Sequence, residues 1–233
     1  MEIAVIQARM GSSRLPGKTL MKLGEHPLIN HVIRRVNQVF ENKFIYLATT
    51  ENSIDDDLVH YVEKNFGINI YRGSSSDVRS RFIDIAHIAG AEIMVRITAD
   101  DPFKDPNHIS KAIQTLKNSS ADYYNNFEKL IYPIGMDIEC FRTKILEISA
   151  LHDSNENSKE HVTLGLRKSE KVKKVHDNSP PEDRFLKYRL TIDTIEDLNF
   201  CRKLIEINPE LSNRDYSWEG IRNTLIAYEK YSF

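Results

Sequence analysis

Residues 44–71 read Phe44-Ile-Tyr-Leu-Ala48, then Ile54 to Phe66, then Ile68-Asn-Ile-Tyr71. The first run is short, apolar and bounded by polar residues, which marks a buried strand. Ile54 to Phe66 reads as a helix, with Ser53 as N-cap and Gly67 as its stop. Ile68 to Tyr71 is a second strand. Strand, helix and strand with short links make a βαβ unit, whose strands lie parallel.

The same rhythm extends both ways. Upstream, Ile3 to Ile6 is a strand, followed by a polar loop with Gly11, Pro16 and Gly17. Pro27 suits the first turn of a helix, and Leu28, Val32, Ile33, Val36 and Val39 recur at helical spacing. Downstream, Asp77 to Ala89 reads as a helix ending at Gly90, Ile93 to Ile97 as a strand and Pro106 to Leu116 as a helix. Strand and helix alternate four times, which predicts an α/β fold with a mostly parallel central sheet and helices on both faces. In such sheets ligands bind beyond the carboxyl ends of the strands. The loops after Gln7, Ala48, Tyr71 and Ile97 are therefore expected to line the site.

Beyond Ala121 the rhythm changes. Tyr123 to Ile138 reads as loop plus antiparallel strands, and residues 121–141 as a small projecting β segment. Thr143–Leu151 and Glu160–Lys168 read as helices, Asp177–Asp183 as a loop, Tyr188–Ile192 as a strand and Ile195–Ile207 as a helix. No internal repeat is evident, so residues 1–233 are read as one domain.

Composition narrows the function classes. The chain has 233 residues, 40% hydrophobic and 28% charged, with net charge −2. Such a balance argues against a general nucleic-acid binder. Two cysteines, Cys140 and Cys201, cannot build a disulfide framework. The first residues lack the pattern of a signal peptide, and no apolar run reaches the roughly 18 residues of a membrane span. The expectation is a cytoplasmic protein with no membrane partner.

Three stretches carry chemistry. Residues 7–20 contain Arg9, Arg14 and Lys18 with no acid between Glu2 and Glu25. A glycine-containing cationic loop after a first strand suits a polyphosphate. It is not a Walker A loop, because the Gly11-to-Gly17 spacing is one residue too long and no helix follows directly. Residues 96–102, Arg-Ile-Thr-Ala-Asp-Asp-Pro, place Asp100 just past a strand, where it can hold Mg²⁺ or simply cap a turn. In the third, Thr191-Ile-Asp193-Thr-Ile-Glu-Asp197-Leu, Asp193 ends a strand as a second carboxylate for the same metal, and Thr194 with Asp197 resembles a capping box. Arg72 either contacts ligand or pairs with Asp77. His161 opens a helix.

Gln7-Ala-Arg-Met-Gly-Ser-Ser-Arg-Leu-Pro-Gly-Lys18 resembles the signature loop of the cytidylyltransferases that activate acidic sugars. It is most similar to the spore-coat polysaccharide branch, related to the 3-deoxy-manno-octulosonate and acylneuraminate enzymes. The resemblance continues in Ala48-Thr49, Arg72-Gly73 with Asp77, Arg96-Ile97-Thr98 with Asp100, Glu160-His161-Val162-Thr163 and Thr191-Ile-Asp193. It implies a Rossmann-like nucleotide-diphospho-sugar-transferase fold, CTP, Mg²⁺ and pyrophosphate release. By motif position Arg9, Arg14 and Lys18 would hold phosphates, with Gly11, Ser12, Ser13 and Thr98 beside them. Gln7, Ala8, Ala48 and Thr49 would face the nucleoside, and Asp100 and Asp193 the metal. Arg72, Asp101, Glu139 and His161 would meet a small anionic acceptor. Ala99 stands where related enzymes usually have glycine, and Asp101 is an added carboxylate. The acceptor stays open between an acidic sugar and a phosphorylated or phosphonate compound. A glycosyltransferase-like or non-catalytic nucleotide-binding protein of the same fold is the alternative. The resemblance also implies a homodimer, and Tyr123, Tyr124, Phe127, Ile131, Tyr132 and Ile134 cluster where its interface would lie.

Overall fold

The computed structural model describes residues 1–231. Strand β1 (Glu2–Gln7) is followed by the cationic loop, a two-residue ladder of β2 (Lys22–Leu23) and β3 (His26–Pro27), and helix α1 (Leu28–Val36). Then come β4 (Ile45–Thr50), α2 (Asp56–Asn65), β5 (Asn69–Gly73), α3 (Val78–Ala89), β6 (Ile93–Thr98) and α4 (Pro106–Lys117). The second half holds β7 (Tyr123–Asn125), β8 (Glu139–Arg142), α5 (Thr143–His152), α6 (Glu156–Glu160), α7 (Leu164–Lys168) and β9 (Lys174–His176). Three helices close the chain: α8 (Ile195–Ile207), α9 (Glu210–Asn213) and α10 (Trp218–Tyr231).

Seven strands form one sheet in the order β5-β4-β1-β6-β8-β7-β9. All adjacent pairs are parallel except those that β8 makes with β6 and β7. β1 is central because its side chains are buried on both faces. Ala4 and Ile6 pack with α1, α2 and α4. Ile3 and Val5 pack with α3, α5 and α7. The chain steps outward from β1 to β4 and β5, then returns across β1 to β6. The loops after β1 and β6 therefore diverge, and that divergence opens the crevice in which ligands of such sheets bind. A further core joins Leu23, Leu28, Phe103 and Met136 to α8 and α10.

Local chemistry accounts for where the fold departs from the sequence reading. Residues 160–168 are not one helix: Val162 is buried at φ 46 between α6 and α7. Thr163 there donates its hydroxyl to Glu139 Oε1 at 2.6 Å, so tertiary demands break the helix. Residues 188–192 form no strand. Leu190 and Ile192 are buried, but their N–H groups donate to Ile134 and Asp100 carbonyls, two different segments rather than one ladder. Ser53 caps no helix but begins a 3₁₀ turn. Phe66, not Gly67, ends α2, in extended backbone. β9 and α10 were not anticipated. Tyr123 and Tyr124 are buried in the chain's own sheet, so they offer no surface to a second copy. Leu130 and Ile134 are the exposed large apolar residues of that segment.

Candidate active site

The cationic loop is shaped by few bonds. Ser12 and Gly17 both donate their N–H to the Met10 carbonyl at 2.9 Å. Gly17 adopts φ 73, a left-handed turn that favours glycine and aims Lys18 back toward the sheet. The Thr19 hydroxyl donates to the Arg9 carbonyl at 3.0 Å. Fully buried Asp55 holds the base of the loop, accepting from Met10 N at 2.6 Å and from the Thr49 hydroxyl at 3.0 Å.

Lys18 is the pivot. Its Nζ lies 2.9 Å from Asp100 Oδ2, 3.2 Å from Asp193 Oδ1 and 2.7 Å from the Ile192 carbonyl. Asp193 also meets Arg14 at 2.9 Å and Arg189 at 3.0 Å. Its backbone N–H donates to Asp197 Oδ2, which also closes the capping box with Thr194. Burial alone would raise the Asp100 carboxyl, but the Lys18 ammonium outweighs it and holds the group below its ordinary value.

A cavity of about 320 Å³ opens over this group at the ends of β1 and β6. Its lining includes Gln7, Ala8, Arg9, Ser12, Ser13, Arg14, Lys18, Thr98, Asp100, His161 and Asp193. Arg81 and Arg96 join them, so five cations face three carboxylates, although the whole chain is net negative. That local excess suits an anionic ligand. At the rim Arg9 pairs with Glu160 at 2.9 Å. Arg81 is buried and donates to the Ala48 carbonyl at 3.2 Å, while its Nε has no partner among the described residues. Burial and the neighbouring Arg9 hold its guanidinium below its ordinary value.

A second cavity of about 180 Å³ adjoins the first and shares Arg96 and Thr98 with it. Asp101, Lys104, Phe127, Asp137, Glu139 and Arg167 complete its wall. Asp101 and Lys104 pair at 2.8 Å, and Arg96 pairs with Glu139 across β6 and β8. Glu139 also accepts from the Tyr123 and Thr163 hydroxyls. Burial would raise Glu139, yet Arg96 and these donors hold it below its ordinary value.

The structure thus gathers most residues singled out in the sequence. Ala48, Thr49, Gly11 and Arg72 stand apart from the larger cavity's wall. Ala48 and Thr49 are buried behind it. A Cβ at Gly11 would meet open space, so no close approach demands glycine there. Arg72 pairs with Asp56 at 2.7 Å and donates to the Thr50 and Asn52 carbonyls, not to Asp77. Asp101 and Glu139 line the smaller cavity instead. Asp55, Lys104, Asp137 and Arg167 had no role in the sequence reading, and Arg81 stood there only beside Arg72 and Asp77, with no role of its own. Each stands outside the motifs or inside an ordinary charged run.

A model of the cytidylyltransferase family matches residues 3–222. The chain belongs to this family. It is a nucleotidyltransferase enzyme. It is 34% identical over 208 residues to the spore coat polysaccharide biosynthesis protein SpsF of Bacillus subtilis, covering 87% of this chain and 85% of the relative. A cytidylyltransferase structure from Leptospira borgpetersenii superposes with a TM-score of 0.86 at 29% identity, covering 98% of this chain and 94% of the other. A CMP:2-keto-3-deoxy-manno-octonic acid synthetase structure shares the fold with a TM-score of 0.60 at 17% identity, covering 88% of this chain and 98% of the other. No helix among the described residues is long and apolar enough to cross a membrane.

The carboxylates of this cytidylyltransferase fit the divalent cation that the sequence resemblance implies. Asp100 Oδ2, Asp193 Oδ1 and the Ile192 carbonyl converge on one point already filled by a cation, the Lys18 ammonium. An all-oxygen set of this kind suits Mg²⁺, which takes its other ligands from phosphate and water. Among the described residues no group of three or more His, Cys, Asp or Glu side chains could hold a metal ion, so a cation at this point would rest on two carboxylates.

Proposed function

We propose that the chain transfers CMP from CTP to a small acidic sugar or related anionic acceptor, releasing pyrophosphate. The observation that carries this reading is the Lys18–Asp100–Asp193 group on the wall of a cationic cavity at the ends of β1 and β6. A hydroxyl oxygen of the acceptor attacks the α-phosphorus in line and gives up its proton to solvent. The bond to the bridging oxygen breaks, and pyrophosphate leaves with the electron pair. Arg9 and Arg14 bind triphosphate oxygens, and Lys18 meets the charge that grows on the leaving pyrophosphate. Gln7 and Arg81 face the nucleoside side of the cavity. Asp100 and Asp193 would hold Mg²⁺, which when bound neutralises phosphate charge and polarises the phosphoryl group. Among the protein's own contributions, positioning of the two reactants is the largest that the geometry supports.

The likeness to a spore coat polysaccharide biosynthesis protein and to a CMP:2-keto-3-deoxy-manno-octonic acid synthetase supports an acidic-sugar acceptor in polysaccharide assembly. The test is pyrophosphate release from CTP, GTP and UTP with acidic sugars, sugar phosphates and phosphonates. CTP-selective release with an acidic sugar is the expected result. Release with only phosphorylated acceptors, or with another nucleotide, rejects the reading.

A further inference from the structure

Asp55 stands at the N-cap position of α2, where an aspartate ordinarily accepts from the first N–H groups of its own helix. Its side chain makes no such bond. The carboxylate turns back to two other segments instead. Oδ1 accepts from Met10 N at 2.6 Å. Oδ2 accepts from the Thr49 hydroxyl at 3.0 Å, from Thr50 N at 3.2 Å and from the Thr50 hydroxyl. The residue is fully buried, so water does not compete for these bonds. The Met10 N–H belongs to the same peptide unit as the Arg9 carbonyl, and that carbonyl accepts from the hydroxyl of buried Thr19 at 3.0 Å. One peptide unit is therefore gripped on both sides. It adjoins both phosphate-facing cations of the loop: Arg9 carries the carbonyl, and Lys18 precedes Thr19.

We propose that Asp55 is a positioning residue for cytidylyl transfer: with Thr19 it clamps the Arg9–Met10 peptide unit, so that Arg9 and Lys18 stand at a fixed spacing before the triphosphate binds. The proposal rests on the transfer reading above, in which Arg9 and Lys18 meet phosphate oxygens. The loop between those two cations contains Gly11 and Gly17, and ordering such a chain only when ligand arrives would cost affinity. A clamp already closed in the free protein removes that cost. The Met10 carbonyl tightens the same turn by accepting from Ser12 N and Gly17 N at 2.9 Å. The clamp needs a carboxylate, because both oxygens accept. An amide has one oxygen. Turned toward Thr49 and Thr50 to keep the donors there, it sets its NH₂ against the Met10 N–H, donor against donor. That buried N–H is then unsatisfied, and the loop side of the clamp opens while the β4 side holds.

The experiment measures CTP and CMP binding by calorimetry, and kcat and KM for CTP-dependent pyrophosphate release with a productive acceptor, in the wild type, Asp55→Asn, Thr19→Val and Thr19→Ser. CMP lacks the β- and γ-phosphates that the loop is placed to hold. Asp55→Asn and Thr19→Val should each weaken CTP binding by about tenfold, with CMP binding held within about threefold. Their kcat should fall by about tenfold or more, since displaced phosphate contacts misalign the α-phosphorus. Thr19→Ser keeps the hydroxyl and should stay within about twofold of the wild type for both ligands. Both grips act on one peptide unit, so the Asp55→Asn, Thr19→Val double variant should lose less CTP affinity than the product of the two single losses. Thermal melts establish which variants fold, and Thr19→Val carries the test if Asp55→Asn does not. Folded variants that weaken CTP and CMP alike, or neither, overturn this inference and leave cytidylyl transfer standing. So does a Thr19→Ser variant as impaired as Thr19→Val. A wild type that binds no CTP overturns the transfer reading and this inference with it.

Discussion

In the proposed transfer Lys18 would serve two partners in turn. Without nucleotide it neutralises Asp100 and Asp193 at 2.9 and 3.2 Å. With a triphosphate in the cavity, it would face the leaving pyrophosphate. Charge grows there mainly as the bond breaks, so Lys18→Ala should lower kcat by about a hundredfold or more while KM for CTP moves less than about tenfold. Steady-state kinetics decides it: an unchanged kcat with only a raised KM makes Lys18 a ground-state binder. Asp137 supplies a prediction about stability. Its carboxyl is raised from 3.8 to about 6 by burial, so the folded state holds its proton more tightly than the unfolded state. That stability is fully present below pH 3.8 and is lost as pH rises through about 6. Asp137→Asn should therefore be more stable than the wild type near pH 8, by up to about 3 kcal/mol, with the gap closing toward pH 4. Denaturant melts at both pH values check it, and a gap of the opposite sign contradicts it. At this scale the loop was legible because Arg9, Arg14 and Lys18 are neighbours in sequence. Asp137 and Arg167 come together only through the fold, at the smaller cavity, and nothing local marks them.

Among the elements, α8 shows how a cap can serve a site. The Thr194 hydroxyl accepts from Asp197 N, and Asp197 accepts from Thr194 N and Asp193 N. Loss of the cap also loosens the backbone that carries Asp193. Thr194→Ala should cost about 1 kcal/mol in urea unfolding, and an unchanged midpoint would contradict the assignment. Gly135 is a harsher case. It sits at φ 102, and a Cβ there would lie 2.5 Å from Leu190 C and Thr191 N. Gly135→Ala should cost more than about 3 kcal/mol or abolish folding, because backbone meets backbone and strain adds to the clash. A variant within about 1 kcal/mol of the wild type would mean that the two segments separate easily. These contacts explain why 188–192 deceived the sequence reading. Its alternating apolar residues are buried, as in a strand, but its partners are a loop and a turn. Helix α3 was legible because its apolar period, its N-cap Asp77 and its stop Gly90 are local.

Across the whole molecule, the site lies where separate cores meet. The parallel half supplies Lys18 and Asp100, and the segment before α8 supplies Asp193, packed against the core of α8 and α10. The alternation of strands and helices foretold the parallel sheet and the edge at which ligands would gather. The antiparallel β8 and the three-residue β9 were harder to read, since they pair by distant contacts rather than by their own pattern. In the proposed transfer two carboxylates from two parts of the chain, Asp100 and Asp193, act as one unit. Asp100→Asn and Asp193→Asn test it together, through CTP-dependent pyrophosphate release at saturating Mg²⁺ with a productive acceptor. Each variant should fold as the wild type does and lose about a hundredfold or more in kcat, with the double variant losing far less than the product of the two. Near wild-type rates in either single variant would contradict the account.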